Sequence, residues 1–465
     1  MFYRLARPIA RYVLRYYYRH LDISGLEHIP ARGPVIFASN HPTAFIEPCL
    51  LACFQPRLLY FLARGDLFTT GFFKFLLGSV NILPVFRLKD GGYGRLKDNF
   101  STFDACYDRL SKGGAIMILA EGSTIHEKRL RPLRKGTGRI ALGALKRDPS
   151  LKDVPIIPVG VHFNKAERIR GQVMIEFGTA MSARDYYETY EENANQGVAN
   201  LTNALREELS KLVVQVPSIE QDGLAEAVFE LDRSNHREQI KYGIGHDGEQ
   251  LARIRALGIG LPLVGILPQS PDPNTTAEDR SGETKPSSGH WLAEGKIHYY
   301  FNRLHQYGLE DAAVAGVFNR DYKLGAWDFL QAFLAIPILL FWLPIWLLAE
   351  WIAASFIKAV EFYSPVRFGV VSVGSMLYVP LWLGFAGITA WSGGSLVSAL
   401  LVLAYIGASI YGCRWAIQSW ERVWRWRAVR RYRRLIPPEK KIMDAARKAA
   451  VDEVTHWMNK ARHHE

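Results

Sequence analysis

The chain has 465 residues and a formal net charge of +12, and 49% of its residues are hydrophobic. Domains usually comprise about 100–200 residues, so a second region is expected beyond any catalytic core. A positive net charge of this size is compatible with nucleic-acid binding. However, residues 414–465 hold 14 Lys and Arg against 6 Asp and Glu, directly after apolar segments. Such a cluster favours contact with anionic membrane lipids and argues against nucleic-acid binding.

The first 30 residues predict an amphipathic helix on a membrane surface. Arg4, Arg7, Arg11 and Arg15 recur at helical spacing with Tyr, Val and Leu between them, which is typical of a helix in the lipid interface. The alternative is a basic, solvated helix face on a soluble protein. The segment has no uninterrupted apolar core and no small-residue cleavage site, so we do not expect a signal peptide.

Six short apolar runs alternate with helical stretches in the next part of the chain, at 34–39, 58–63, 80–86, 115–120, 155–161 and 172–178. Successive apolar residues are typical of strands covered on both faces. A helix at 198–215 follows, in which Leu201, Leu205, Leu209 and Leu212 form one stripe. We therefore predict an α/β catalytic domain at 31–217, with a mixed sheet flanked by helices.

The remainder predicts a helical insert and a membrane region. Residues 218–325 are mostly polar and helical, with a flexible loop by composition at 268–289. Three uncharged apolar runs then occur within 326–413, each near the ~20 residues that a helix needs to cross a membrane; they lie at 329–349, 368–391 and 395–413. A basic cytoplasmic tail at 414–465 completes the predicted organisation.

Basic residues beside these runs predict their topology. Lys323 and Lys358 flank the first run and an Arg cluster follows the third, whereas residues 391–395 carry no charge. The positive-inside rule then places the catalytic domain, the 350–367 linker and the tail on the cytoplasmic side, which requires an even number of crossings. We predict that the second and third runs form a transmembrane hairpin. The first, which contains Pro337 and Pro344, would be re-entrant or interfacial.

The strongest local feature is Ser-Asn-His-Pro-Thr-Ala-Phe-Ile-Glu-Pro at 39–48, at the end of the first predicted strand. Pro42 suits the first turn of a helix, so His41 is expected at a strand-to-helix corner facing a cleft. A hydroxyl attacks a thioester efficiently when a base takes its proton, and a His oriented by a carboxylate does this at neutral pH. Glu47 is the candidate carboxylate.

This segment resembles the first of four sequence blocks of the glycerophospholipid acyltransferase superfamily, which includes lysophosphatidate and glycerol-3-phosphate acyltransferases. The second block, Gly followed by an apolar stretch that ends in Arg, is matched at 78–87. The third is matched by Ala-Glu-Gly-Ser-Thr at 120–124 and a basic stretch at 129–136, and the fourth by residues 154–161. All four occur in the order that the superfamily has.

The sequence departs from the superfamily pattern at two of these blocks. The usual acid is Asp five residues after the His, whereas Glu47 is six residues after His41, a step found in a related branch. Six residues correspond to about 240° around an ideal helix, so the pair meets only if the first residues lie outside the helix. In the third block, Ala120 stands where Pro is common, and the usual Thr-Arg after Glu-Gly is missing.

The resemblance implies roles for further residues. Arg87 would hold the phosphate of the acceptor, because a planar guanidinium suits that group. Glu121 and Gly122 would shape the acceptor site, and Ser123 or Thr124 would add a hydrogen bond.

Two basic residues of the third block are candidates for donor or phosphate contact. Arg131 and Lys135 would take this role by resemblance. Plain surface charge is the alternative for both, and a solvated position at a strand end is the alternative for Arg87.

The implied reaction is transfer of a fatty acyl group from acyl-CoA or acyl-carrier protein to glycerol-3-phosphate or lysophosphatidate, in phospholipid biosynthesis. Direct transfer needs no covalent acyl-enzyme, and neither a metal ion nor a bound cofactor is implied. The four cysteines, without paired-ligand spacing, are expected to be reduced packing residues. The alternatives are another lysophospholipid acceptor and a non-catalytic lipid-binding membrane protein of the same fold.

The later region resembles one branch of the superfamily, in which a helical insert and a C-terminal membrane hairpin follow the catalytic domain. Residues 297–311 and 364–382 carry this looser resemblance. We expect a membrane protein, in a bacterial inner membrane with its catalytic domain in the cytoplasm. The oligomeric state is left open by the sequence.

Overall fold

The structure is a computed structural model. It describes residues 2–65, 70–85, 98–166, 168–236, 243–246, 248–261, 295–317, 324–357, 360–391 and 396–462. The chain divides into two compact units. Unit 1 comprises residues 1–215, 242–252 and 343–392, and unit 2 comprises residues 216–241, 253–342 and 393–465.

A mixed sheet forms the centre of unit 1. Its strands are β1 (His20–Ser24), β2 (Val35–Ser39), β3 (Leu59–Arg64), β4 (Ile82–Val85), β5 (Ala115–Leu119), β6 (Ile156–Asn164), β7 (Gln172–Phe177) and β8 (Gly243–Gly245). The strand order is β4-β3-β5-β2-β6-β7-β1-β8. All neighbours are parallel except β6 and β7. All six strands predicted from apolar runs are present.

The sheet is covered by helices on both faces, because side chains alternate along each strand. In β2, Val35 and Phe37 join a buried cluster with residues of α1 (Phe2–Tyr17) and α2 (Ile46–Phe54). Ile36 and Ala38 join a second cluster on the opposite face. That cluster includes residues of the helices Asp98–Ser111, Gly136–Arg147 and Ala194–Leu212. The predicted α/β fold with a mixed sheet is confirmed.

The helices in chain order are α1, α2, α3 (Gly71–Ser79), α4 (Asp98–Ser111), α5 (Gly136–Arg147), α6 (Tyr187–Glu192), α7 (Ala194–Leu212), α8 (Asp222–Asn235), α9 (Glu249–Ile259), α10 (Lys296–Tyr307), α11 (Asp311–Val314), α12 (Ala326–Leu334), α13 (Ile336–Phe356), α14 (Tyr363–Trp391), α15 (Leu396–Tyr411), α16 (Cys413–Arg433) and α17 (Pro437–Arg462). The four leucines of the predicted stripe in α7 are buried or nearly so. The loop expected at 268–289 lies outside the described residues.

The N-terminal segment differs from its prediction. The helix ends at Tyr17, and residues 20–24 form β1 within the sheet, so the segment is not one helix to residue 30. Val13, Leu14 and Tyr17 are buried in unit 1, while Arg4, Arg11 and Arg15 are exposed. The apolar face of α1 therefore packs on protein, and three of its four arginines face outward, while the half-buried Arg7 donates to the Gln55 carbonyl.

The C-terminal part contains helices long and apolar enough to cross a membrane. Two described helices qualify by length and composition, Ile336–Phe356 and Tyr363–Ile388. A third is counted if α15 and α16, which are bent by 60°, form one span. The first predicted run begins in α12 and continues in α13 after a break at Ala335, and Pro344 lies inside α13. Its expected re-entrant or interfacial position stays a prediction.

Candidate active site

The candidate site lies where β2 and β5 end. These strands are parallel neighbours, with Ser39 paired to Leu119, and the backbone N–H of Ala120 donates to the Ser39 carbonyl at 2.8 Å. The residues just beyond the two strand ends therefore come together at one edge of the sheet. These residues are His41 and Glu121. The first and third sequence blocks thus meet because parallel strands share a carboxyl edge.

The imidazole of His41 is held between a hydroxyl and a carboxylate. Its Nε2 lies 2.7 Å from Oγ1 of Thr124. Its Nδ1 lies 3.8 Å from Oε2 of Glu47. The backbone N–H of His41 donates to Oε2 of Glu121 at 3.0 Å, and His41 as a whole is 8% exposed. One ring nitrogen thus faces a hydroxyl and the other a carboxylate, which is the arrangement of a general base with an orienting acid.

Glu47 reaches His41 because the chain between them is not helical. Residues 42–45 form bends, and α2 begins only at Ile46. The prediction that Pro42 lies in the first helical turn is therefore wrong. Because most of the six residues from His41 to Glu47 are not helical, the angle of about 240° on an ideal helix does not separate the two side chains. Glu47 is fully buried, and its other oxygen accepts the backbone N–H of Thr43. The 3.8 Å separation is an ion-pair distance longer than a hydrogen bond, and such contacts often tighten when substrate binds.

Glu121 and Arg131 fix the loop that follows β5. Glu121 is 4% exposed, and it accepts the backbone N–H of Arg131 at 2.9 Å and its Nη2 at 2.7 Å. The Arg131 guanidinium also donates from Nη1 to Oγ of Ser123 at 3.0 Å and from Nη2 to the Ser123 carbonyl. A bidentate guanidinium holds such a loop in one geometry. Arg131 thus contacts the loop itself, and a contact with donor or phosphate stays a prediction.

Two further candidates, Gly122 and Lys135, lie in the described part of the chain. Gly122 has φ of +71°, and a Cβ there would come within 2.8 Å of the Arg134 side chain, so the position requires glycine for the backbone turn. Lys135 is exposed at the N-terminus of α5. Arg87 lies outside the described residues.

In the described part of the chain, no three His, Cys, Asp or Glu side chains are grouped to hold a metal ion.

Asn40 is a site residue that the sequence reasoning missed. Its side-chain amide donates to the Val161 carbonyl at 2.9 Å and accepts the Val161 N–H at 2.8 Å. The Asn40 side chain therefore makes two hydrogen bonds to the backbone of β6 just beyond the end of β2, and these bonds fix the backbone next to His41. The only available signal was a buried amide directly before the His, because its partner is 121 residues away.

His162 lies on β6, one residue beyond the partner of Asn40. Burial, followed by the nearby Lys128 and His126, holds the pKa of His162 well below its ordinary value of 6.5. The Nδ1 of His126 lies 3.4 Å from the Pro42 carbonyl, and Nζ of Lys128 donates to the Phe163 carbonyl at 3.4 Å. His162 is therefore neutral at neutral pH.

Comparison with known proteins identifies the domain that carries this site. Residues 20–162 match the family model described as Acyltransferase. The chain is 28% identical over 126 residues to glycerol-3-phosphate O-acyltransferase 2 of Saccharomyces cerevisiae, covering 27% of this chain and 17% of that relative. It is 23% identical over 139 residues to a chloroplastic 1-acyl-sn-glycerol-3-phosphate acyltransferase of Brassica napus, covering 30% of this chain and 36% of that protein.

The relatives are thus matched over part of their length. The chain covers 17% of the yeast relative and 36% of the plant one. A crystal structure of the 1-acyl-sn-glycerophosphate acyltransferase from Thermotoga maritima aligns at 16% identity with a TM-score of 0.31, covering 44% of this chain and 80% of that one.

Proposed function

Residues 20–162 of this chain belong to the glycerophospholipid acyltransferase superfamily, and we propose that the chain is a membrane-bound O-acyltransferase. In this proposal it transfers a fatty acyl group from acyl-CoA or acyl-carrier protein to the hydroxyl of glycerol-3-phosphate or lysophosphatidate. The observation that carries the proposal is the position of His41, with Nε2 at 2.7 Å from a hydroxyl and Nδ1 at 3.8 Å from buried Glu47.

The chemistry follows from that geometry. The acceptor hydroxyl would take the place of the Thr124 hydroxyl at Nε2, and His41 would remove its proton as the alkoxide attacks the thioester carbonyl. The carbon–sulfur bond then breaks, and His41 returns the proton to the leaving thiolate. Glu47 stabilises the imidazolium that forms between these two steps, as a buried carboxylate at Nδ1 does in other general-base sites.

The remaining site residues would position the acceptor. Glu121 accepts the backbone N–H groups of both His41 and Arg131, so it connects the base to the loop after β5. Ser123, Thr124, Lys135 and Arg87 are proposed to contact the phosphate or the glycerol hydroxyls, while Arg131 supports Glu121.

The membrane helices support a lipid substrate. Two described helices are long and apolar enough to cross a membrane, and an acylated product partitions into lipid. We propose that the protein resides in a bacterial inner membrane with the catalytic domain in the cytoplasm, and that the basic tail contacts anionic lipids.

The test of this function is a panel of donors and acceptors. Purified, detergent-solubilised full-length protein is given labelled palmitoyl-CoA or palmitoyl-acyl-carrier protein, each with glycerol-3-phosphate or lysophosphatidate. Labelled product from one pair identifies donor and acceptor together. If no pair reacts while a different lysophospholipid does, the acceptor class is wrong. If a well-folded protein acylates none of them, the non-catalytic lipid-binding alternative replaces the proposal.

A further inference from the structure

We propose that the start of α14 and the loop after His41 bind the acyl chain of a lipid substrate, and that Gly369 and Phe45 determine which chain lengths reach His41. This inference rests on the proposed function, and it assigns a role in specificity to a helix outside the residues matched by the family. The residues concerned all belong to unit 1.

The start of α14 contacts the loop that follows His41 (residues 42–45, the catalytic loop). The backbone N–H of Ala44 donates to the carbonyl of Glu361 at 3.3 Å. Three residues after Glu361, in the first turn of the helix, Ser364 Oγ donates to the Ala166 carbonyl just after β6. Arg367 donates to Glu350 of α13 at 2.6 Å. The N-terminal turn of this candidate membrane helix is therefore fixed beside the catalytic loop.

Phe45 lies at the contact between the two segments. It follows His41 by four residues and is 39% exposed, although the residues after it in α2 are buried. Its ring centroid is 6.4 Å from that of Phe368. A Cβ at Gly369 would lie 3.2 Å from Cζ of Phe45. The absence of a side chain at Gly369 therefore leaves the space in which the edge of the Phe45 ring sits.

An apolar stripe continues from Gly369 along α14. Val373, Leu377 and Leu381 follow at steps of four residues, and each step turns about 40° around the helix, so these three side chains span about 80° of its surface. They are exposed by 60%, 65% and 69%. From Gly369 to Leu381 the stripe spans about 18 Å at 1.5 Å per residue. That length is more than half of the ~30 Å hydrocarbon layer of a membrane.

A hydrocarbon chain is the occupant that these features fit. The stripe begins at the residue that touches the catalytic loop, and residues 368–391 carry no charged side chain. An acyl chain lying along it would pass from the bilayer to Phe45, four residues after His41, on apolar surface, which avoids the unfavourable exposure of methylene groups to water.

The test compares Gly369→Leu with Gly387→Leu in full-length protein. Gly387 is a matched control, since it lies on the same helix and a Cβ there meets nothing within 4 Å. The ratio of kcat/KM for palmitoyl-CoA to that for butyryl-CoA is measured with glycerol-3-phosphate. In a second arm, palmitoyl- and butyryl-lysophosphatidate are compared with one donor, which distinguishes the donor chain from the acceptor chain.

We expect the long-to-short ratio to fall roughly tenfold or more in Gly369→Leu, the loss expected when about two methylene groups no longer bind. The control should keep the wild-type ratio. Adding Phe45→Ala to Gly369→Leu should restore the ratio by reopening the space, which a general folding defect would not allow. Equal ratios in wild type, Gly369→Leu and the control, in both arms, would overturn the inference.

A second readout does not depend on turnover. Wild type and both glycine variants are placed in vesicles containing a photoreactive, diazirine-bearing palmitoyl-lysophosphatidate, and labelled peptides are identified by mass spectrometry. Saturable labelling of Phe45 that is lost in Gly369→Leu supports the inference, even if no acyl transfer is found and the proposed function fails. Labelling at Phe45 that is equal in all three proteins contradicts the inference, even if acyl transfer is found.

Discussion

At the scale of single residues, the proposed base catalysis by His41 depends on the charge of Glu47. Its carboxylate is fully buried and lies 3.8 Å from Nδ1 of His41, while its second oxygen accepts the N–H of Thr43. A glutamine there has the same size and keeps an oxygen for Thr43, but it does not stabilise an imidazolium. Replacing Glu47 by Gln should therefore slow the chemical step and leave the local backbone in place.

We expect Glu47→Gln to lower kcat by about 10²-fold or more with little change in thermal midpoint, by analogy with carboxylates of this type. Steady-state kinetics and a melting curve measure the two quantities. Glu208→Gln, which changes a partly exposed glutamate on α7, serves as the control. A kcat for Glu47→Gln within twofold of wild type would show that Glu47 is not the partner of His41.

The sequence paired His41 with Glu47 and assigned Glu121 to the acceptor site, but it did not predict how these residues are held. His41, Glu47 and Glu121 were recognisable because residue type and order along the chain identify them. The hydrogen bonds of Asn40 to Val161 and of Glu121 to the backbone of His41 join residues 121 and 80 positions apart. No local pattern reports such contacts, because they exist only once β2, β5 and β6 are paired.

At the scale of elements, strands with uninterrupted apolar runs were predictable and the polar ones were not. β1 alternates His20, Asp22 and Ser24 with Leu21 and Ile23, so it lacks the apolar run that marked the other strands. β8 has only three residues, two of them glycine. Both lie at the β1–β8 edge of the sheet, where one face is lined by polar side chains.

The buried His162 on β6 predicts a pH dependence of stability. Because its pKa in the folded protein is well below 6.5, the unfolded chain binds a proton near that pH that the folded protein does not bind. The contribution of neutral His162 to the free energy of unfolding is therefore fully present above about pH 6.5. It decreases as the pH falls, by at most about 1.4 kcal/mol per pH unit.

Replacing His162 by Gln should make the free energy of unfolding less dependent on pH between neutral and mildly acidic solution. The measurement is chemical denaturation of detergent-solubilised wild type and variant across that range, with exposed His236→Gln as control. The prediction concerns the slope, since the substitution can change stability at every pH. Identical slopes in wild type and His162→Gln would contradict it.

At the scale of the whole molecule, the proposed membrane topology puts the active site on the side of the catalytic domain, beside the membrane. The contact of Ala44 with Glu361 puts the residue two positions before α14 next to the loop that follows His41. We therefore expect a tag inserted at residue 358 to be accessible on the same side as the catalytic domain, and a tag at residue 393 to lie on the other side.

Protease digestion of sealed inverted membrane vesicles measures this topology. With the catalytic domain facing outward, the tag at 358 should be cleaved and the tag at 393 protected, and detergent should expose both. Protection of the tag at 358 together with cleavage at 393 would refute the proposed arrangement of the hairpin.

The role of His41 is tested by the rate of labelled acyl transfer by wild type and His41→Ala, measured with the donor and acceptor pair that the substrate panel identifies. General-base catalysis typically contributes about 10²- to 10⁴-fold. We predict a loss of that size in His41→Ala, with an unchanged thermal midpoint. An equal rate of transfer by a folded His41→Ala protein would contradict the assignment of His41 as the catalytic base.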